Sequence, residues 1–235
     1  AVTDRHPMDC YITPPCAASA FGGYLGEHFP DEWAEGDWLD PFGGPGTLLP
    51  WMLRLDAEFV PCIQTHVFEL DMRWAAEQRA YVHTINRRLG RDSFAMSWQP
   101  RGKTPHIATN PPFKSTREAL KRCREHAYDN GVIAGVLMRT DWWQHQKRSL
   151  LRPDRMLMLE WRPAFGWRFD TKTKQLVWST DYAGYVWCLY EPRATGRTAT
   201  DFLARPTVPK HLHVEHKRLA RIAYHMGQAA QGATP

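Results

Sequence analysis

Trp38-Leu39-Asp40-Pro41-Phe42-Gly43-Gly44-Pro45-Gly46-Thr47 decides the fold. A short apolar strand, expected over 36–41, runs into a glycine-rich turn, and a helical run expected over 47–55 follows. Glycines at such a turn permit tight backbone angles and let a ligand approach the main chain closely. The turn is not a phosphate-binding P-loop, because no lysine follows its last glycine. It also lacks the GxGxxG spacing of nicotinamide-cofactor enzymes. Some 20 residues on, Val67-Phe68-Glu69-Leu70-Asp71 places two carboxylates at the end of a second expected strand, 65–69. A carboxylate there can accept both hydroxyls of a ribose. Loop and carboxylate together read as a nucleoside site; either alone is equally a glycine turn or a charge at a helix start.

Further strands are expected near 105–109, 131–138, 156–161 and 183–190. Helices are expected near 17–28, 72–89, 116–129, 142–150 and 211–227. The 72–89 helix rests on Trp74, Ala75, Tyr81, Val82, Ile85 and Leu89 at helical spacing. The 116–129 helix has Ser115 with Glu118 three residues later, a capping-box spacing, and ends at Asn130-Gly131, which suits a left-handed cap. Strand–helix alternation argues for a mostly parallel, doubly wound α/β sheet, which binds ligands at the carboxyl ends of its strands. The stretch 160–192 reads as strand, aromatic turn-rich loop, strand. Residues 192–210, with Pro192, Pro206 and Pro209, read as a linker or arm. The expected division is therefore 1–192 for a catalytic domain and 193–235 for a basic C-terminal arm and helix.

The sharpest local signal is His106-Ile107-Ala108-Thr109-Asn110-Pro111-Pro112-Phe113. An apolar strand ends in an amide, two prolines and an aromatic ring. The prolines fix φ and remove two donors, so the loop presents carbonyl acceptors in a stiff arrangement. Asn110 adds a side-chain carbonyl and Phe113 a flat face. Two acceptors and one ring suit a planar group bearing an exocyclic NH2. The plain alternative is an Asn-Pro turn between strand and helix.

Length and composition agree with a globular enzyme. The 235 residues are 43% hydrophobic and 23% charged, enough for one layered core. No apolar run approaches a membrane span, and Ala1-Val2-Thr3-Asp4-Arg5-His6 has no apolar core, so neither a transmembrane helix nor a signal peptide is expected. Five scattered cysteines form no CxxC pair, which points away from zinc and toward a reducing cytoplasm. The net charge of +5 hides an asymmetry: residues 1–100 carry −7, 101–159 carry +7, 160–192 are neutral and 193–235 carry +5. The basic stretches could face a polyanion or be solvated helix faces. Between residues 114 and 155, Lys114, Arg117, Lys121, Arg122, Arg124, Arg139, Lys147, Arg148, Arg152 and Arg155 interleave with Trp142 and Trp143, which suits a phosphate track with stacking platforms. His211, His213 and His216 are spaced i, i+2, i+5, off a single helix face, so metal binding is not expected.

Taken in order, these motifs resemble the S-adenosylmethionine-dependent adenine-N6 DNA methyltransferases of the NPPF type, as in phage and prophage members. Asp40 to Thr47 resembles their DPFxGxGT loop, and Asn110-Pro111-Pro112-Phe113 their catalytic tetrapeptide. Tyr11-Ile12-Thr13-Pro14 is similar to their N-terminal cofactor element. Arg162-Pro163-Ala164-Phe165 and the stretch Asp181 to Trp187 are similar to their later loop and strand. The resemblance spans roughly residues 9–192.

That resemblance implies a Rossmann-like class I methyltransferase fold, a mostly parallel seven-stranded sheet with one antiparallel strand and helices on both faces. It implies S-adenosylmethionine as cofactor, no metal, DNA (double- or single-stranded) as partner, and room for a homodimer. Tyr11, Thr13, Pro14, Asp40, Phe42, Gly43, Gly44 and Gly46 would surround the cofactor's amino-acid part. Glu69 would hold the ribose, Asp92 and Phe94 the adenine. Asn110, Pro111, Pro112 and Phe113 would hold a flipped-out target adenine. Lys114, Arg117, Arg139, Trp142, Trp143, Lys147 and Arg148 are the expected nucleic-acid contacts. Pro45 departs from the small polar residue common in that loop and removes one N–H donor. No long insertion serves target recognition, so short or relaxed specificity is expected. The same motifs fit a relative acting on RNA adenine or protein glutamine, or a non-catalytic nucleic-acid-binding relative.

Overall fold

A computed structural model describes residues 11–53, 65–69, 72–79, 85–89, 93–99, 104–144, 151–170, 172–180, 183–192 and 196–232. Helix α1 (Pro15–His28) begins on two prolines, where a missing N–H costs nothing, and α2 (Pro30–Glu35) repeats that device. Then come β1 (Trp38–Asp40), α3 (Leu48–Leu53), β2 (Thr65–Glu69), a 3-10 turn (Met72–Trp74), α4 (Ala75–Arg79) and β3 (Ile85–Leu89). The second half runs β4 (His106–Thr109), α5 (Thr116–Asn130), β5 (Ala134–Arg139), β6 (Arg155–Leu159), β7 (Ala164–Asp170), β8 (Gln175–Thr180), β9 (Tyr185–Tyr190), β10 (Ala199–Leu203) and α6 (Lys210–Gly232).

Eight strands form one sheet in the order β10-β6-β9-β5-β4-β1-β2-β3. All neighbours pair in parallel except β9, which is antiparallel to both β5 and β6. The expected mostly parallel sheet is thus present, with β10 as a further strand at its edge. Strands β7 and β8 form a separate hairpin. From β1 the chain steps outward to β2 and β3, then returns to the other side of β1 as β4. The carboxyl ends of β1 and β4 therefore flank a topological switch point, where such sheets open a crevice.

Apolar side chains cover both faces. On one, α1, α3 and α6 bury Phe21, Leu49, Met52 and Leu219 against the sheet, and Phe21 stacks on Trp187 with centroids 4.2 Å apart. Gly135 of β5 lets that happen, since a Cβ there would lie 2.2 Å from the Phe21 ring. On the other face, α5 buries Leu120, Cys123 and Ala127 against Leu39, Ile107, Val136 and Val186.

Four expectations need correction. Residues 72–89 are not one helix: a 3-10 turn and a short helix end at Arg79, and Ile85–Leu89 pairs in parallel with Thr65–Glu69. The helical spacing misled because the parallel pairing with β2 is a non-local contact that spacing within the segment does not encode. Residues 192–210 hold a strand, because β10 pairs with β6 along five residues from Ala199 to Leu203. The capping box at Ser115 does not form; Ser115 makes no side-chain cap, and Thr116 Oγ1 instead donates to the Phe113 carbonyl at 3.0 Å. Thr140–Gln144, where the 142–150 helix was to begin, is a 3-10 turn, and 145–150 lie outside the described residues. The left-handed cap at Gly131, φ 66°, is as expected.

Candidate active site

The site begins at the two strand ends. Asp40, 2% exposed at the end of β1, accepts two hydrogen bonds on one oxygen: from the Phe42 N–H at 3.1 Å and from the Thr109 hydroxyl at 2.7 Å. Thr109 is the last residue of β4, so this bond ties the glycine loop to the segment that carries Asn110. Burial pushes the Asp40 carboxyl up to about 7; the Thr109 and Phe42 bonds pull it down, and the Glu69 charge raises it further.

The loop closes on itself through Gly46 N–H donating to Gly43 O at 2.7 Å. Gly44 (φ 51°) and Gly46 (φ 80°) occupy the left-handed region, which costs an L-residue about 1–2 kcal/mol. Gly44 is buried, yet a Cβ on it would meet nothing within 4 Å, so a gap lies beside its backbone. Two side chains brace it from the β2 side. Its N–H donates to Glu69 Oε2 at 2.7 Å, and its carbonyl accepts from Gln78 Nε2 at 2.6 Å. Gln78 is wholly buried and its Oε1 has no partner among the described residues.

Phe94 stands 5.2 Å from Phe42, ring to ring, tilted by 56°. Its position is set by Arg122 of α5, whose guanidinium donates to the Phe94 and Met96 carbonyls and lies 4.5 Å over the Trp98 ring. Asp92 lies outside the described residues.

The Asn-Pro-Pro-Phe segment leaves β4 at the same rim. Asn110 Nδ2 donates to the Tyr11 carbonyl at 2.8 Å, which sets the facing of the amide and leaves Oδ1 as its acceptor. The Tyr11 and Phe113 rings lie 4.8 Å apart at 31°. Pro112 O is already taken by the Ser115 N–H at 2.9 Å. Thr13 and Pro14 are buried beside Tyr11, and Pro14 O caps the first turn of α1. One rim therefore gathers Tyr11, Thr13, Pro14, Asp40, Phe42, Gly43, Gly44, Gly46, Glu69, Phe94 and Asn110 to Phe113.

The expected nucleic-acid residues divide. Lys114 and Arg117 are exposed at the start of α5, directly after the clamp. Arg139 ends β5 on the same rim and pairs with Asp141 at 2.7 Å. Trp142 and Trp143, edge to face at 4.8 Å, pack half-buried against the core beside β5 and β9. Lys147 and Arg148 lie outside the described residues. Two other arginines of that basic block do structural work. Arg122 holds the Phe94 loop. Arg155 begins β6 on the opposite rim, where it engages Glu191, Asp201 and the Tyr24 hydroxyl.

Three side chains that the sequence did not single out as site residues support this rim: Thr109, Gln78 and Arg122. Each acts on a residue far away in sequence, and only Thr109, adjacent to Asn110, carried a local hint.

No protein-family model matches the sequence, and no curated protein matches it. Solved structures do. A Listeria monocytogenes protein named as a class I S-adenosylmethionine-dependent methyltransferase matches over 93% of this chain and 73% of its own, with TM-score 0.55 and 12% identity. A Pyrococcus horikoshii protein named as an RNA methyltransferase matches over 79% and 88%, with TM-score 0.54 and 15% identity. The methyltransferase subunit of a type I restriction-modification system from Streptococcus thermophilus matches over 92% of this chain at TM-score 0.57 and 14% identity; the chain spans 53% of that subunit. The fold is the Rossmann-like fold of these methyltransferase structures. At such identities the likeness is one of fold.

Proposed function

We propose that this chain transfers a methyl group from S-adenosylmethionine to the exocyclic amine of adenine in DNA. The observation that carries the reading is the 2.7 Å bond between Thr109 and Asp40, which sets the amide-and-proline clamp beside the glycine loop. The named activities of the structural neighbours are compatible with it, the restriction-modification subunit most directly.

The residues fit the cofactor on three counts. The gap beside the Gly44 backbone admits a ligand that a side chain would exclude. Glu69 holds a carboxylate at the loop, and Phe42 and Phe94 offer apolar ring faces beside it. Tyr11, Thr13, Pro14 and the Asp40–Gly46 loop would hold the amino-acid part, Glu69 the ribose, Phe94 and Asp92 the adenine. Bound there, S-adenosylmethionine supplies an electrophilic methyl on a sulfonium.

The chain's own residues do the positioning. The target base must leave the duplex stack or be single-stranded already. Phe113 stacks on it. Asn110 Oδ1 and the Pro111 carbonyl accept its two amino hydrogens, which aims the nitrogen lone pair. The cofactor would supply the methyl and keep the C–S electron pair on its sulfur, while Asn110 and Pro111 hold the amine in line for it. The methylated nitrogen, acidic only at that stage, would release one proton to solvent water. Positioning and fixed dipoles therefore supply the catalysis. Lys114, Arg117 and Arg139, with Trp142, Trp143, Lys147 and Arg148, are the proposed contacts to phosphates and bases.

Labelled S-adenosylmethionine offered with duplex DNA, single-stranded DNA, structured RNA and a glutamine peptide tests the reading. DNA should be labelled by the wild type and not by Asn110→Ala, with cofactor affinity changed less than about threefold. Label in RNA or peptide alone would reassign the substrate. Wild-type rates in Asn110→Ala would remove the clamp from the mechanism.

A further inference from the structure

The last helix reaches into the site through one buried side chain. His216 of α6 is 2% exposed, and its Nε2 lies 3.0 Å from the carbonyl of Ile12, 204 residues away in sequence. Burial holds the imidazole down to about 4, and neighbouring His213 and Lys217 lower it further, while the Ile12 carbonyl raises it. The ring is thus neutral near pH 7. A carbonyl can only accept, so the neutral ring carries its hydrogen on Nε2. The ring makes T-shaped contacts with two tryptophans: Trp178 of the β7–β8 hairpin, 5.1 Å away at 86°, and Trp51 of α3, 6.1 Å away at 82°. It has one facing.

Ile12 neighbours the residue that matters most. Tyr11 O receives the Asn110 amide, and the Tyr11 ring lies against Phe113. The Tyr11 carbonyl sets the facing of the Asn110 carboxamide by accepting from its Nδ2. That carbonyl belongs to an irregular segment just ahead of α1. Its position depends on what grips residues 11–13, and the His216 bond is a buried grip on that backbone.

We infer that His216 is a positioning residue for the amine clamp: it fixes the Tyr11–Thr13 strap through the Ile12 carbonyl, and the strap orients Asn110 and Phe113. Helix α6, beyond the last strand, is then part of the active-site machinery. Trp167 Nε1 donating to Lys217 O at 2.9 Å, Arg218 pairing with Glu77 at 2.6 Å and Arg73 donating to Met226 O at 3.1 Å hold the helix in place.

The activity arm of the test rests on the methyl-transfer reading; the exchange arm does not. Glutamine puts an amide N–H near the position of Nε2, whereas asparagine is too short to reach. His216→Gln and His216→Asn are both polar and both cost packing, so their difference isolates the bond. Hydrogen exchange of the peptides covering 11–18 and 107–115 should rise at least tenfold in His216→Asn and less than threefold in His216→Gln. The methyl-transfer kcat should fall at least tenfold in His216→Asn, with KM for DNA within threefold, and recover to within threefold of wild type in His216→Gln. Arg155→Ala, which removes the contacts to Glu191 and Asp201 on the opposite rim, should lower the melting temperature without moving kcat. Equal exchange in the two His216 variants overturns the inference, whether or not the wild type transfers methyl. So does a kcat that tracks melting temperature across all three variants. An inactive wild type that still shows the exchange difference would instead remove the functional reading and leave the strap in place.

Discussion

Replacing Thr109 by Val tests the joint between the two strand ends. The change keeps shape but removes the hydroxyl that donates to Asp40 at 2.7 Å in a wholly buried position. The Asp40 carboxyl titrates near 7, raised from 3.8. A carboxyl raised on folding favours the native state in acid, and that contribution is lost as pH climbs from about 4 through about 7. Thr109 limits the loss because it donates to the ionised form. A hydrogen bond to a charged acceptor contributes about 1.5–3 kcal/mol, one to a neutral group about 0.5–1.5 kcal/mol. Thr109→Val should therefore cost about 1 kcal/mol at pH 5.5 and about 2–3 kcal/mol at pH 9. It should also move the Asp40 midpoint up by about one unit, since one unit is about 1.4 kcal/mol. For a chain of this size a loss of 1 kcal/mol lowers the melting temperature by about 2–4 °C. Scanning calorimetry of wild type, Thr109→Val and Thr109→Ser over that range reads the effect, with Ser retaining the donor. A Val penalty that does not grow with pH, or that Ser shares in full, would refute the coupling.

Other outcomes follow from the same geometry. Glu69→Ala should weaken S-adenosylmethionine binding by about 1–3 kcal/mol, roughly 5- to 150-fold by calorimetry, because a charged acceptor and the brace on the Gly44 N–H are both lost. An unchanged affinity would count against the ribose role. Arg122→Ala should lower cofactor affinity through the freed Phe94 loop while leaving the salt dependence of DNA binding unchanged. Lys114→Ala and Arg117→Ala should do the reverse, each reducing the salt slope by about one and sparing cofactor affinity. Identical behaviour of the three variants would contradict the division of the basic block.

Local chemistry made part of this molecule legible in its sequence. Trp38–Asp40 and His106–Thr109 are apolar strands that stop abruptly at residues suited to little else, glycines in one case and Asn-Pro-Pro in the other. Gly131 announced the end of α5 because few residues accept its angles. The failures are non-local. Ile85–Leu89 is a strand because β2 offers it a parallel partner, which no spacing within 72–89 encodes. Ala199–Leu203 sits between prolines and pairs with a strand 44 residues earlier. In the site, the Gly-rich turn and the clamp were visible as motifs, but their supports were not. Arg122 looked like one more phosphate contact, though it holds a backbone loop 28 residues before it. His216 looked like one of three scattered histidines, though it grips a segment 204 residues away. Sequence pattern shows what a segment can do; which carbonyl meets which donor across the sheet depends on packing.

In the proposed reaction the Asn110 clamp presents a DNA adenine amine to a sulfonium methyl beside the Gly43–Gly46 turn. Long-read sequencing of DNA from cells that express the wild type or Asn110→Ala, in a host without adenine methylation of its own, measures this directly. N6-methyladenine should appear at a short or relaxed set of sites in the first and at none in the second. Unmodified adenine in cells where the purified wild type binds S-adenosylmethionine, or the same modified sites with Asn110→Ala, would contradict it.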